Sequence, residues 1–135
     1  MATIKTIKKN CEKLYKEIVL LRDMCCQWCG GSDCLQIHHI IKRSKSAILF
    51  YDLLNLVLLC KGCHFKYHQD EQAGDYWFIE TFPARWKYIH FPICDEWGKK
   101  LPRRNVQKSS WHKSDYEEIE QGLKEKLAEL KGDPQ

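Results

Sequence analysis

Cys26-Gln27-Trp28-Cys29 and Cys60-Lys61-Gly62-Cys63 enclose the run Leu35-Gln36-Ile37-His38-His39-Ile40-Ile41, and these two C-x-x-C units decide how the chain folds. Two residues between thiolates let both sulfurs reach one tetrahedral zinc ion from a tight turn. Two such units complete a four-sulfur shell, which leaves no open position for chemistry and contributes folding free energy directly. The gap between the pairs is wider than in a simple zinc ribbon, so something is inserted there. A redox motif is the competing reading. A redox C-x-x-C normally comes singly, in a thioredoxin-like setting that this sequence lacks. Cys25 and Cys34 are substitutes within the first pair, and Cys11 and Cys94 read as buried thiols.

The bulk numbers agree with a small domain. The chain has 135 residues, 44% apolar and 30% charged, with eight cysteines and a formal net charge of +4. A domain of this length buries only a thin core. The mild positive charge permits a nucleic-acid partner without demanding one. Eight cysteines suit either a secreted disulfide scaffold or metal ligation. The start Met-Ala-Thr-Ile-Lys has no apolar signal core, and no apolar run is long enough for a membrane span. A cytoplasmic location with reduced thiols is therefore expected, which favours metal ligation.

Outward from the cysteines, residues 3–21 carry Ile4, Ile7, Cys11, Leu14, Ile18 and Leu21 at helical spacing. Lys5, Lys8, Lys9, Lys13 and Lys16 fall mainly on other faces, either solvated or in contact with phosphate. Leu35–Ile41 and Leu56–Leu59 read as strands, and Lys61–Gln69 as a short helix. The basic loop Lys42-Arg43-Ser44-Lys45-Ser46 begins the connection between the strands. Residues 76–111 are rich in aromatics interrupted by Pro83, Pro92 and Pro102, and read as a packing layer over the central unit. A last helix spans roughly 115–131. Ser114 and Glu117 have capping-box spacing, and Gly132 suits its stop. Its stripe of Tyr116, Ile119, Leu123, Leu127 and Leu130 serves either core packing or a homodimer seam.

The histidines carry the chemistry. His64 and His68 are four apart, so on a helix they share one face and suit one metal ion. His38 and His39 are neighbours on a strand and point to opposite faces, so they cannot easily share one task unless the strand bends. Four of the six histidines are thus interleaved with the cysteine pairs.

Cys26-x-x-Cys29, Ile37-His38-His39-Ile40, Asn55-Leu56-Val57-Leu58-Leu59-Cys60 and Cys63-His64 together resemble the HNH endonuclease family and its ββα-metal motif. The resemblance covers about residues 24–68. Asn55, His64 and His68 are also spaced as in the nuclease domains of DNase colicins, with eight and then three residues between them. The fold implied is α+β: a small ββα-metal (His-Me finger) core with structural zinc, flanked by N- and C-terminal helices. We expect one nuclease domain over 1–135, made of an N-terminal helix (1–22), a zinc-stapled core (23–70) and a C-terminal extension (71–135).

By position, the resemblance makes His39 the general base and Asn55 the residue that steadies the loop and orients it. His38 stands where many members have Asp, as the first ligand of a catalytic metal, and His64 and His68 resemble the helix-borne ligands. Cys26, Cys29, Cys60 and Cys63 hold the structural zinc. The activity implied is metal-dependent DNA hydrolysis, by nicking or double-strand cleavage, with Mg, Mn, Ni or Zn as catalytic metal. Imidazole ligands suit the last three better. Lys42, Arg43 and Lys45 can grip DNA phosphates, and Arg103, Arg104 and Lys108 form a second basic cluster. Small proteins of this kind occur among phage-encoded nucleases, restriction enzymes and mobile elements. The alternative is a non-catalytic zinc module that binds nucleic acid. It would need the four cysteines but neither His39 nor Asn55.

Overall fold

A computed structural model describes residues 2–42, 47–90 and 111–132. Arg43, Lys45, Cys94, Arg103, Arg104 and Lys108, named above, lie outside the described residues, as do Pro92 and Pro102. The element order is α1 (Ile4–Asp23), β1 (Leu35–His39), α2 (Ala47–Phe50), a 3-10 turn (Leu53–Asn55), β2 (Leu56–Cys60), α3 (Lys61–Gln69), α4 (Glu71–Thr81), α5 (Pro83–His90) and α6 (Lys113–Lys131). The strands form one antiparallel pair, in register from Leu35 opposite Cys60 to His39 opposite Leu56. The chain therefore mixes helices with a small two-stranded sheet, and α3 follows β2 without a linker.

Thr3 caps α1, its hydroxyl accepting the Thr6 amide at 3.2 Å. The buried face of α1 is Ile7, Cys11, Tyr15, Ile18 and Val19. This stripe departs from the expected one, because Ile4 and Leu21 lie exposed and Tyr15 and Val19 turn inward. Helix α6 packs against it through Tyr116 and Leu123, with Ile119 and Leu127 alongside. Four residues of the α6 stripe are thus taken up within the chain, while Leu130 lies exposed. The α6 cap also differs from expectation. The helix begins two residues early, at Lys113, so His112 is the N-cap and Asp115 accepts its backbone N–H at 2.8 Å. Gly132 ends the helix in the left-handed conformation (φ 74°), as its position suggests.

A second core lies on the other side of the sheet. Val57 and Leu59 of β2 meet Cys26, Tyr67, Phe78 and Ile89, with Trp28, Trp77, Phe82 and Trp86 packed around them. Within the described residues, the aromatic segment is a packing layer built as two helices. Pro83 opens α5 instead of breaking it, because the first turn needs no proline N–H.

The free edge of β2 is closed by groups distant in sequence, most of them charged. Asp23 accepts the Leu58 amide at 3.0 Å, and the Gln27 amide donates to the Leu58 carbonyl at 2.9 Å. Arg22 donates to the carbonyls of Leu53 (2.7 Å) and Leu56 (2.6 Å). Arg85, lying over the Phe82 ring at 4.4 Å, donates to the carbonyls of Leu54 (3.2 Å) and Leu56 (2.5 Å). Both guanidinium groups thereby fix the turn that presents Asn55.

Helix α4 leans on α3 at Gly74. A Cβ added there would sit 2.5–2.6 Å from ring carbons of Tyr67. Tyr67 cannot step aside freely, since its hydroxyl bonds Asp75 and its ring lies 4.1 Å from that of His38. In an open helix, Gly→Ala stabilises by about 1 kcal/mol. At Gly74 the sign reverses, and overpacking is expected to cost about 1–3 kcal/mol. Chemical denaturation of Gly74→Ala checks this, and a midpoint at or above wild type would contradict it.

Candidate metal centre and active site

Two ligand clusters lie next to each other along β1, β2 and α3. The first is Cys26, Cys29, Cys60 and Cys63, whose sulfurs all lie within 4.8 Å of one another. Each C-x-x-C unit folds as a knuckle in which a backbone N–H points at the first sulfur. The Cys29 amide lies 3.5 Å from Cys26 Sγ, and the Cys63 amide 3.4 Å from Cys60 Sγ. Cys60 closes β2, caps α3 and supplies a sulfur, so one residue ties sheet, helix and cluster together. Burial opposes ionising Cys26, but the N–H groups aimed at its sulfur overcome this and bring it down to about 6. Burial and the neighbouring thiols hold Cys63 far above its ordinary value, because four sulfurs so close cannot all ionise without a cation among them. The donor set fits zinc. Cys25 and Cys34 stay out of the cluster, and Cys11 is a buried thiol of the α1 core.

The second cluster is His38, His64 and His68, again with ligand atoms within 4.8 Å of one another. Strand alternation puts His38 on the β1 face that looks toward α3, and helical spacing brings His64 and His68 to meet it. The Nε2 atoms of His64 and His68 are 3.1 Å apart. Buried His38 Nε2 has no hydrogen-bond partner. A buried nitrogen lone pair beside two further imidazole nitrogens fits a divalent cation, and three ligands leave coordination positions open. Burial, helped by His64 and His68, lowers His38 to about 3, so it needs to lose no proton before ligating. Burial and then His68 lower His64 as well.

His39 turns the other way. Its ring stacks on Phe50 at 4.2 Å and meets Tyr15 edge-on at 5.7 Å. The strand does not bend to merge the two histidines. They stand on opposite faces and still border one cleft of about 280 Å³, together with Lys42, Phe50, His64 and His68. A backbone hydrogen bond to Phe50 engages the His39 ring, and Nε2 has no partner. Burial lowers His39 to about 4 against the opposing pull of that bond.

Asn55 is fully buried and spends its side chain on the loop between the strands. Its Oδ1 accepts the Ile41 amide at 2.7 Å, and its Nδ2 donates to the carbonyls of Ile41 (3.0 Å) and Leu49 (2.9 Å). Its own carbonyl accepts the Ile40 amide at 3.0 Å. The two ends of the loop that follows His39 and returns through Phe50 are thus clamped to one residue. Lys42 lines the cleft and pairs with Glu71 at 2.7 Å, both about half exposed. Sequence reasoning missed three residues around this site: Gln36, whose Oε1 lies 2.6 Å from His64 Nδ1, Tyr67 under His38, and Phe50 against His39. Strand alternation from His38 is the signal that finds Gln36.

The lowered values make a direct prediction for protein without metal at the histidine cluster. The fold favours the neutral rings, so their stabilising contribution is complete above an ordinary histidine value near 6.5 and is lost as pH falls toward 4 and 3. An imidazole NMR titration should find His38 and His39 still neutral at pH 5. Midpoints near 6.5 for both would contradict their burial.

Residues 26–70 match the family model described as HNH endonuclease. No curated protein and no solved structure matches the chain. Among the described residues, no helix is long and apolar enough to cross a membrane. The matched segment, with both cysteine knuckles, Asn55 and the four histidines His38, His39, His64 and His68, belongs to the HNH endonuclease family.

Proposed function

We propose that this chain is a metal-dependent DNA endonuclease acting as a single nuclease domain, with β1, β2 and α3 as its ββα-metal unit. Members of the family are in general nucleases that use a divalent metal and act on DNA. The observation that carries the reading is the open three-histidine cluster beside a separate, closed four-cysteine cluster. A zinc-binding module with no catalytic task has no use for the first of these.

In this reading Cys26, Cys29, Cys60 and Cys63 hold structural zinc, and His38, His64 and His68 hold the catalytic ion. When bound, that ion supplies positive charge to the scissile phosphate and to the departing 3′ oxygen. His39, neutral across the physiological range, takes the proton of the attacking water at Nε2. Asn55 fixes the loop that carries Phe50, and Phe50 fixes the His39 ring. Lys42 contacts the phosphate backbone. Its surface pair with Glu71 is worth only about 0–1 kcal/mol and gives way readily to a phosphate. Arg43 and Lys45 extend the same basic run in sequence. Nickel, manganese or zinc suits three imidazoles better than magnesium.

Supercoiled plasmid incubated with the zinc-loaded protein and added Mg, Mn, Ni or Zn tests this. Conversion to nicked or linear DNA should require the added metal and disappear in His64→Ala. Retention of DNA without cutting under every metal would support the non-catalytic binding module instead.

A further inference from the structure

We propose that Gln36 is the positioning residue of the histidine cluster: its carboxamide oxygen holds His64 with the proton on Nδ1, so that Nε2 keeps its lone pair for a divalent cation. The inference rests on reading His38, His64 and His68 as a metal site.

A neutral imidazole carries one proton, and only the other nitrogen can ligate. His64 Nε2 faces the cluster, 3.1 Å from His68 Nε2, whereas Nδ1 lies 2.6 Å from Gln36 Oε1. An acceptor against Nδ1 therefore selects the ligating tautomer before any metal arrives. The strand sets this arrangement, because Gln36 and His38 are two apart on β1 and share the face over α3. Gln36 itself is exposed and belongs to neither core cluster, so packing does not explain where its side chain lies.

The choice of an amide has a consequence. A carboxylate in this place would make the imidazole more basic and bind the metal more tightly. The uncharged amide orients the ring without adding that charge.

Zinc-loaded wild type, Gln36→Leu, Gln36→Glu and His64→Ala are compared by calorimetric titration with nickel, and by nitrogen NMR of the imidazoles near pH 8 without added metal. Zinc content and circular dichroism verify folding. Wild type should show His64 protonated on Nδ1. Gln36→Leu should lose that preference and bind nickel about 10–100-fold more weakly. Gln36→Glu should bind at least as tightly as wild type. Unchanged nickel affinity in Gln36→Leu overturns the inference. So does a wild-type proton on Nε2, or a loss in Gln36→Glu as large as in Gln36→Leu. If His64→Ala loses nickel binding and Gln36→Leu does not, only the role of Gln36 fails. If His64→Ala binds nickel as wild type does, the metal site itself fails, and the role of Gln36 with it.

Discussion

His39→Ala is expected to lower the cleavage rate by about 10²–10⁴-fold, the usual contribution of a positioned general base. The loss should fall on the chemical step. His39 stands on the strand face opposite His38 and is not among the three clustered imidazoles, so nickel affinity should stay near the wild-type value. Removing a ring that stacks on Phe50 and touches Tyr15 also costs some stability, so rates must be taken well below the melting temperature of the variant. His38→Ala should differ in kind, losing metal affinity and activity together. Single-turnover cleavage with saturating metal separates the two, and wild-type rates in His39→Ala would remove the residue from the mechanism.

Stripping the four-cysteine site should unfold the central unit. Structural zinc in small cysteine-rich domains binds with about 10–16 kcal/mol. A domain's whole stability is about 5–15 kcal/mol. Here the site joins the 26–29 knuckle to the end of β2 and the start of α3. Cys60→Ser should therefore be the most damaging single change, since Cys60 serves strand, cap and cluster at once. His64 and His68 follow within the same helix, so loss of zinc should abolish nickel binding as well. Metal analysis with thermal melting checks this, and a fully stripped protein that melts at the wild-type temperature would contradict it.

How much was legible in the sequence depended on how local each signal is. Lys61–Gln69 could be read to the residue, because a knuckle cysteine opens the helix and His64 and His68 repeat at its period. Both strands were legible from short apolar runs between turn residues. The face of α1 was only partly so, since its apolar residues are not confined to one stripe and only packing selects Tyr15 and Val19 over Ile4 and Leu21. Helices α4 and α5 were hidden by composition, for the aromatics obscure a helical period in both and Pro83, which reads as a breaker, in fact begins α5.

The candidate site shows the same division. The four cysteines come together as the two C-x-x-C spacings imply, and His64 and His68 meet as their four-residue spacing implies, with His38 beside them where the family resemblance puts it. The opposite facing of His38 and His39 follows from strand alternation alone. Gln36 could be found by the same alternation, but the contacts that fix the turn and loop are long-range and leave no spacing to read. Arg22 and Arg85 reach the turn before β2 from α1 and α5, and Asn55 clamps backbone groups at Ile41 and Leu49.

The central claim is that this site hydrolyses phosphodiester bonds, and the chemistry of the product ends tests it most directly. End-labelled DNA incubated with zinc-loaded protein and a second divalent metal should yield fragments bearing 5′-phosphate and 3′-hydroxyl ends, with none formed when the second metal is withheld. DNA that stays intact under every metal tested, while the protein is folded and the histidine cluster is loaded, would contradict the account.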